Sequence, residues 1–465
     1  MYPTVYVALF GWLIVAFALF RTRPFRQAVI WATLLPFLFL PTTTIEFSGV
    51  PNYGRSTAIG YGLLIGLLVS RGVSIRDFRP RPMDIPIVLY CTAPMFASLT
   101  NGLGVYDGLS AMFPDVLTWG VPYLVGRIAF RDGMPVDLVR GLLIAGLVYV
   151  PLCLIEVRLS PQLSNWIYGF FPHSFGQQIR YDGFRPVVFL SHGLEVAFWM
   201  ATWTLTCAWL WVRGRERYLG PVPYWLAFLL LLVTTLLCKS VGSVVLLAGG
   251  LMVMLVATRP ATLAGLLRIA LLTPVVFLGV RIAGMVDVWA IADFVDRLDP
   301  RSGESLSFRF RNEDMLLAKA MERPLFGWGG WGRNRVYDDS GRDLTTTDGL
   351  WIINLGTVGF FGMVSWLLTI LWPCWAALRH RFSRRVRADL DLATAALAAL
   401  IFLQFFVFVY SIPNVAGGPL PMLCLGAIGS AAYAAKRQHG RAAASGEASA
   451  GPVRGEREAR FGWVR

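Results

Sequence analysis

Residues 307–349 read SFRFRNEDMLLAKAMERPLFGWGGWGRNRVYDDSGRDLTTTDG and run directly into 350–362, LWIINLGTVGFFG. The first stretch is dense in arginine and carboxylate, and the second is almost wholly apolar. Charged groups are costly in hydrocarbon, so the first stretch lies outside a bilayer and the second enters it. The spans on either side then act as a scaffold, with much of the chemistry carried on this loop.

The rest of the chain agrees with that division. Of 465 residues, 56% are apolar, 14% aromatic and only 15% charged, the composition of an all-α polytopic membrane protein. The net charge of +14 does not point to nucleic acid, because the arginines fall between apolar runs with few aromatics among them. Six cysteines (Cys91, Cys153, Cys207, Cys238, Cys374 and Cys424) lie in or beside apolar segments without metal-ligand spacing, and read as reduced, packed thiols.

A helix crosses the bilayer core with roughly 17 to 25 residues. Segments that suit this centre on 3–20, 27–41, 57–70, 85–99, 116–130, 138–155, 193–212, 222–238, 241–257, 266–283, 350–372, 391–411 and 417–434, which predicts about thirteen spans. No basic region precedes the first, so it reads as a retained helix rather than a signal peptide. Arginines gather in alternate connections, at Arg21–Arg26, Arg71–Arg81, Arg131, Arg213–Arg217, Arg259 and Arg379–Arg387, while the short loops 42–54 and 101–115 nearly lack them. That alternation predicts a periplasmic N-terminus and a cytoplasmic C-terminus in a bacterial inner membrane. Residues 1–435 then form one transmembrane domain with two large periplasmic loops, 156–192 and 284–349. Residues 436–465, small and basic, read as a disordered cytoplasmic tail.

Within the second loop, Ser307–Arg323 has amphipathic helical spacing, suited to a membrane surface, and Pro324 ends it. Phe326–Gly332 is a glycine-aromatic turn able to bend closely around a ligand, or else an interfacial anchor, since Trp favours that depth. Thr345–Asp348 supplies N-cap residue types for the next span.

The run RPLFGWGGWG followed by TDGLWIINLGTVGFFG resembles the O-antigen ligase and Wzy-type polysaccharide polymerase superfamily. Its members carry a Pro-Leu-Phe-Gly-x-Gly turn late in a large periplasmic loop, then a His-Asn pair opening the next span and two glycines further on. Gly359 and Gly362 stand at those offsets from Asp348, but this chain has Asp348-Gly349 in place of His-Asn. RYDGFRPVVFLSHGLEVAFW, residues 180–199, resembles the family's other basic periplasmic segment. The resemblance implies a GT-C-like architecture and transfer of a glycan from undecaprenyl diphosphate to a glycan or lipid acceptor at the periplasmic face. It also implies the membrane, and a chain-length regulator or export machinery, as partners; no cofactor is expected.

In such a reaction the acceptor hydroxyl attacks the anomeric carbon and the diphosphate leaves. The leaving group needs cations, which guanidinium forks supply without a metal. Arg309 and Arg311 are the candidates for this catalytic role, with Arg180, Arg185 and Lys239 binding substrate. Asp348 is the first choice for the base, although an aspartate of ordinary pKa, about 3.9, needs burial to raise it. His192 and Glu195, three apart on one helix face, stand in reserve and also line the substrate site.

Each candidate also has a structural reading. Arg309 and Arg311 lie two apart and cannot share a helix face. Arg185 suits lipid phosphates as well as substrate, and Asp348 suits an N-cap as well as a base. Polymerase is the leading expectation, with O-antigen ligase as the alternative. A flippase or exporter is a third reading, which would place charges or broken helices near mid-membrane; here the span centres are nearly free of charge.

Overall fold

The computed structural model describes residues 2–131, 136–180, 182–214, 216–256, 260–330, 332–347, 349–380 and 418–444. The protein is mostly helical, with strands confined to three short two-stranded hairpins among the described residues. The helices are α1 (Pro3–Thr22), α2 (Phe25–Phe39), α3 (Arg55–Val69), α4 (Ile85–Thr100), α5 (Gly104–Asp115) and α6 (Val121–Ala129). They continue as α7 (Val136–Leu159), α8 (Leu163–Tyr168), α9 (Gly193–Arg213), α10 (Tyr224–Leu237), α11 (Val241–Val256) and α12 (Pro260–Ile282). Next come α13 (Val288–Leu298), α14 (Pro300–Met321), α15 (Leu350–His380) and α16 (Pro419–Ala444). Among the described residues five helices, α1, α4, α7, α12 and α15, are long and apolar enough to cross a membrane. Every expected span falls on helix except 391–411, which lies outside the described residues.

Several elements differ from the sequence expectation. The span expected at 116–130 begins at Gly104, because α5 and α6 are joined without a break through a π-helical segment, Val116–Gly120. That segment brings the carbonyl of Leu117 against Gly60 of α3, where a Cβ would stand 2.4 Å from the oxygen. The loop 42–54 folds as an antiparallel hairpin, β1 (Thr44–Phe47) with β2 (Val50–Gly54). α16 runs to Ala444, past the expected start of the tail at 436, and 445–465 lie outside the described residues.

The apolar core is built largely from aromatic side chains. Trp199, Trp203, Trp351 and Trp366 are all fully buried, as are Tyr123 and Tyr149. Backbones approach closely where glycines meet: a Cβ on Gly126 of α6 would lie 2.4 Å from Leu423 O, and one on Gly426 of α16 would lie 2.3 Å from Tyr123 O. Small residues at helix crossings serve association in lipid in this way. All six cysteines are buried thiols.

The bundle has two distinct ends. At one, the β1–β2 hairpin, the 160–192 segment and the 283–349 segment come together. At the other, Arg127 pairs with Asp84, Arg131 with Asp77 and Arg26 with Asp137. These are called the loop end and the arginine end below.

At the loop end α14 starts seven residues earlier than the amphipathic pattern indicated, with Pro300 in its first turn, and pairs with α13 as a helical hairpin. Val288, Ala292 and Phe310 form a small core between them. The glycine-aromatic turn then docks on α15. Gly359, at φ +64° and ψ −166°, breaks that helix, and the turn fills the break. Phe360 N donates to Pro324 O (2.8 Å) and Phe361 N to Leu325 O (3.0 Å); Trp328 N and Gly329 N donate back to Gly356 O (2.8 Å) and Thr357 O (2.9 Å). The turn thus folds around the chain's own helix rather than around a ligand. Trp328 is further held by its indole N–H to Lys319 O (2.8 Å), under the Lys319 ammonium 3.9 Å from the ring centre.

Candidate functional site

Loop 160–192 is held by a single buried carboxylate. Glu156, in the last turn of α7, accepts from the backbone N–H of Leu163 (2.9 Å), Val187 (2.8 Å) and Val188 (2.7 Å). This fixes the segment between them, including a short hairpin, β3 (Ile179–Arg180) with β4 (Gly183–Phe184), and places Arg185 directly after it.

Arg185 is 4% exposed. Its Nε donates to Cys238 O (3.3 Å) and its Nη2 to Lys239 O (2.8 Å), so it holds the end of α10. Lys239, at φ +51° in the tight turn to α11, donates from Nζ to Arg180 O (2.9 Å). The three expected cationic residues are therefore interlocked through backbone carbonyls, with the Arg180 side chain exposed.

His192 caps α9. Its Nδ1 accepts from Leu194 N (3.0 Å), which leaves the proton on Nε2, 3.2 Å from Gln177 Oε1. Burial pushes its pKa down to about 3, helped by His173, whose ring lies 4.7 Å away, and by the charges of Arg185, Arg180 and Arg309. A neutral imidazole so held is a hydrogen-bond donor and a poor base, which corrects its reserve role. The charges of Arg180, Arg185 and Arg309, from both large loops, thus all bear on one histidine. Arg309 is half-buried on α14 while Arg311 is exposed on another face, as their spacing required.

Glu195 does not bind at the surface. It is 0% exposed; its Oε2 accepts from Ser191 N (2.8 Å) and Ser191 Oγ (2.5 Å), and its Oε1 lies 3.7 Å from Arg55 Nη2. It positions the start of α9 in the manner of a capping box. Asp348 lies outside the described residues. The chain just before it is held by α14, where buried Asn312 accepts from Thr346 N at 2.6 Å.

Sequence reasoning missed two features. Glu313, 7% exposed on α14, stands beside Arg281, with Oε2 3.7 Å from Arg281 Nε. Burial raises its pKa to about 7 against the opposing pull of Arg281 and Arg309. A carboxyl with that pKa is matched to proton transfer near neutral pH. Its one sequence signal is the i,i+4 spacing from Arg309, which puts both on one face of α14.

The raised pKa also carries a stability prediction. Its folded value is above the unfolded one of 4.5, so the stability it contributes is complete below about 4.5 and is lost as pH rises through about 7. Glu313→Gln is expected to flatten that dependence and to raise stability at pH 8 by roughly 3 kcal/mol, less whatever Arg281 loses. Thermal unfolding of both proteins in detergent between pH 5 and 8 measures it; parallel curves would refute it.

The second missed feature is a cleft of about 680 Å³ that Ser191, the residue before His192, helps to line. Its walls are the β1–β2 hairpin, α5 with Tyr106, Asp107 and Ser110, and the positions Arg55, Ser191 and Gly330. Arg55 is fixed by Phe37 O (3.2 Å) and Phe189 O (3.4 Å), and Asp107 by Arg333 (3.1 Å). The sequence showed these only as two loops poor in positive charge. Hydroxyls, backbone, one guanidinium and one carboxylate stand there among apolar side chains such as Phe37, Phe47 and Val50, a mixture that suits a sugar ring with its hydroxyls.

No protein-family model matches this chain, and no curated protein sequence matches it.

Proposed function

We propose that this protein is a membrane glycosyltransferase, a polymerase of bacterial surface polysaccharide acting on a glycan linked to undecaprenyl diphosphate. The observation that carries the reading is the collar of Arg180, Arg185 and Arg309, drawn from two separate loops, whose charges all bear on His192, the residue that follows Ser191 in the wall of the cleft. The glycan donor's diphosphate lies against the collar and the acceptor sugar lies in the cleft. The acceptor oxygen forms its bond to the anomeric carbon as the bond from that carbon to the diphosphate breaks. The departing diphosphate takes the electron pair, and the guanidiniums of exposed Arg180 and half-buried Arg309 stabilise it, while buried Arg185 and His192 hold the loop behind them. The hydroxyl proton goes to a carboxylate. Asp348 keeps the role given by its offset to Gly359, and Glu313, on α14, is a second candidate carboxyl.

The accompanying topology has about thirteen spans in a GT-C-like arrangement in the bacterial inner membrane, with the loop end and N-terminus periplasmic and the C-terminus cytoplasmic. The gathering of Arg76, Arg79, Arg81, Arg127 and Arg131 at the opposite end of the bundle supports that orientation.

The break in α15 is a feature that a flippase or exporter would also show. In transporters the unwound backbone is left to coordinate cargo, whereas here residues 324–329 occupy the break and satisfy its polar groups. That favours an enzyme.

The test is transfer by purified protein. Given lipid-linked repeat units in EDTA, it is expected to lengthen them. Products found only on an added lipid A core would make it an O-antigen ligase instead, and no transfer to either acceptor would sink the proposal.

A further inference from the structure

The arginine end holds a second cleft, of about 380 Å³, whose walls are mostly polar. Arg76, Arg79, Arg81, Arg127 and Arg131 line it, contributed by the 70–84 segment and the end of α6. Two of the five are neutralised. Arg127 holds both oxygens of Asp84, at 2.9 and 3.2 Å, and Arg131 holds Asp77 at 2.7 Å. Arg76, Arg79 and Arg81 have no ion pair among the described residues. Asp77 is the only carboxylate among the described residues lining the cleft.

The guanidiniums are also oriented. Tyr433 of α16 has Arg81 5.1 Å and Arg127 5.9 Å from its ring centre, and Ser430 Oγ accepts from Arg127 Nη1 at 2.9 Å. Like charges gathered in this way repel, and an anion with several acceptor oxygens relieves the repulsion while filling the planar donor forks. Exposed Ile75 and Ile85 flank the arginines in sequence and give acyl chains an apolar surface.

We propose that this cleft binds a phosphate group, presented by an anionic phospholipid headgroup or by a free phosphate. The site is at the opposite end of the bundle from the collar, and the inference does not rest on the proposed transferase activity.

The experiment uses full-length protein in neutral detergent and reads its thermal unfolding against phosphatidylglycerol, phosphatidylcholine or inorganic phosphate. Phosphatidylglycerol is expected to raise the midpoint where phosphatidylcholine does not. Arg76→Gln with Arg79→Gln, both exposed, removes two guanidiniums while leaving the Arg79 carbonyl that Arg127 Nη2 bonds (3.3 Å), and is expected to weaken the apparent affinity by about 30-fold. Arg21→Gln with Arg23→Gln removes equal charge from the same end outside the cleft, and is expected to leave the response intact. If inorganic phosphate gives the full shift and the lipid adds nothing, the site takes a soluble phosphate. If neither phosphate source shifts the midpoint, or if both double variants lose the response equally, the proposal is overturned.

Discussion

Arg309→Ala is expected to lower glycan transfer by about 100- to 1000-fold, while Arg311→Ala stays within about twofold of the parent. Both residues are on α14, two positions apart, and remove the same charge from the same loop. They differ in direction: Arg309 is half-buried and close enough to His192 and Glu313 to act on both, whereas Arg311 is exposed. A guanidinium that stabilises the leaving diphosphate contributes mainly in the transition state, so the loss belongs in kcat more than in KM. Steady-state transfer with lipid-linked repeat units separates the two variants. Equal losses would mean that the loop supplies only a diffuse positive field, and no loss in Arg309→Ala would remove it from the site.

Gly359→Ala is expected to destabilise the protein by roughly 3 to 5 kcal/mol, whereas Gly330→Ala changes little, within about 0.5 kcal/mol. Two causes add at Gly359. Its φ of +64° with ψ of −166° is a conformation that essentially only glycine adopts, and a Cβ there would stand 2.4 Å from Leu325 O, a backbone atom. Gly330, in the same turn's neighbourhood, has open space around its Cβ position and no positive φ. Because residues 324–329 and 356–361 satisfy each other's backbone, Gly359→Ala is also expected to release the turn. Limited proteolysis of detergent-solubilised protein should then cut within 324–330, and an uncut, fully stable variant would contradict the account.

The sequence disclosed the helices and the loops well, and did so for a simple reason. A bilayer imposes length and apolarity on any span, and those are properties of consecutive residues. The pairing of Arg309 against Arg311 was legible in the same way, since helical periodicity alone separates residues two apart. The glycine offsets behind Asp348 also marked Gly359, although they did not say that it breaks a helix or that the chain's own turn fills the break.

What escaped depends on contacts between distant residues. Glu195 and His192 looked like a reactive pair at a span's entrance. Their neighbours decided otherwise: Ser191 and Arg55 enclose the carboxylate, and Leu194 N occupies the imidazole Nδ1. Glu313 reads as one more charge in RNED, and only the packing around it makes it a carboxyl of raised pKa, against the pull of Arg281 from α12. The cleft under the β1–β2 hairpin is formed by residue 37, segments 42–57 and 106–114, and residues 191, 330, 418 and 419, none of which announces the others.

By itself, then, the sequence determined that this is a mostly helical, membrane-type chain with polar loops that carry its arginines, because solvation by lipid or water acts on each local stretch. The tertiary structure alone decided which arginines gather around His192, which carboxyls are enclosed, and where the clefts open. Burial and charge proximity belong to neighbours in space, and this fold takes those neighbours from loops more than a hundred residues apart.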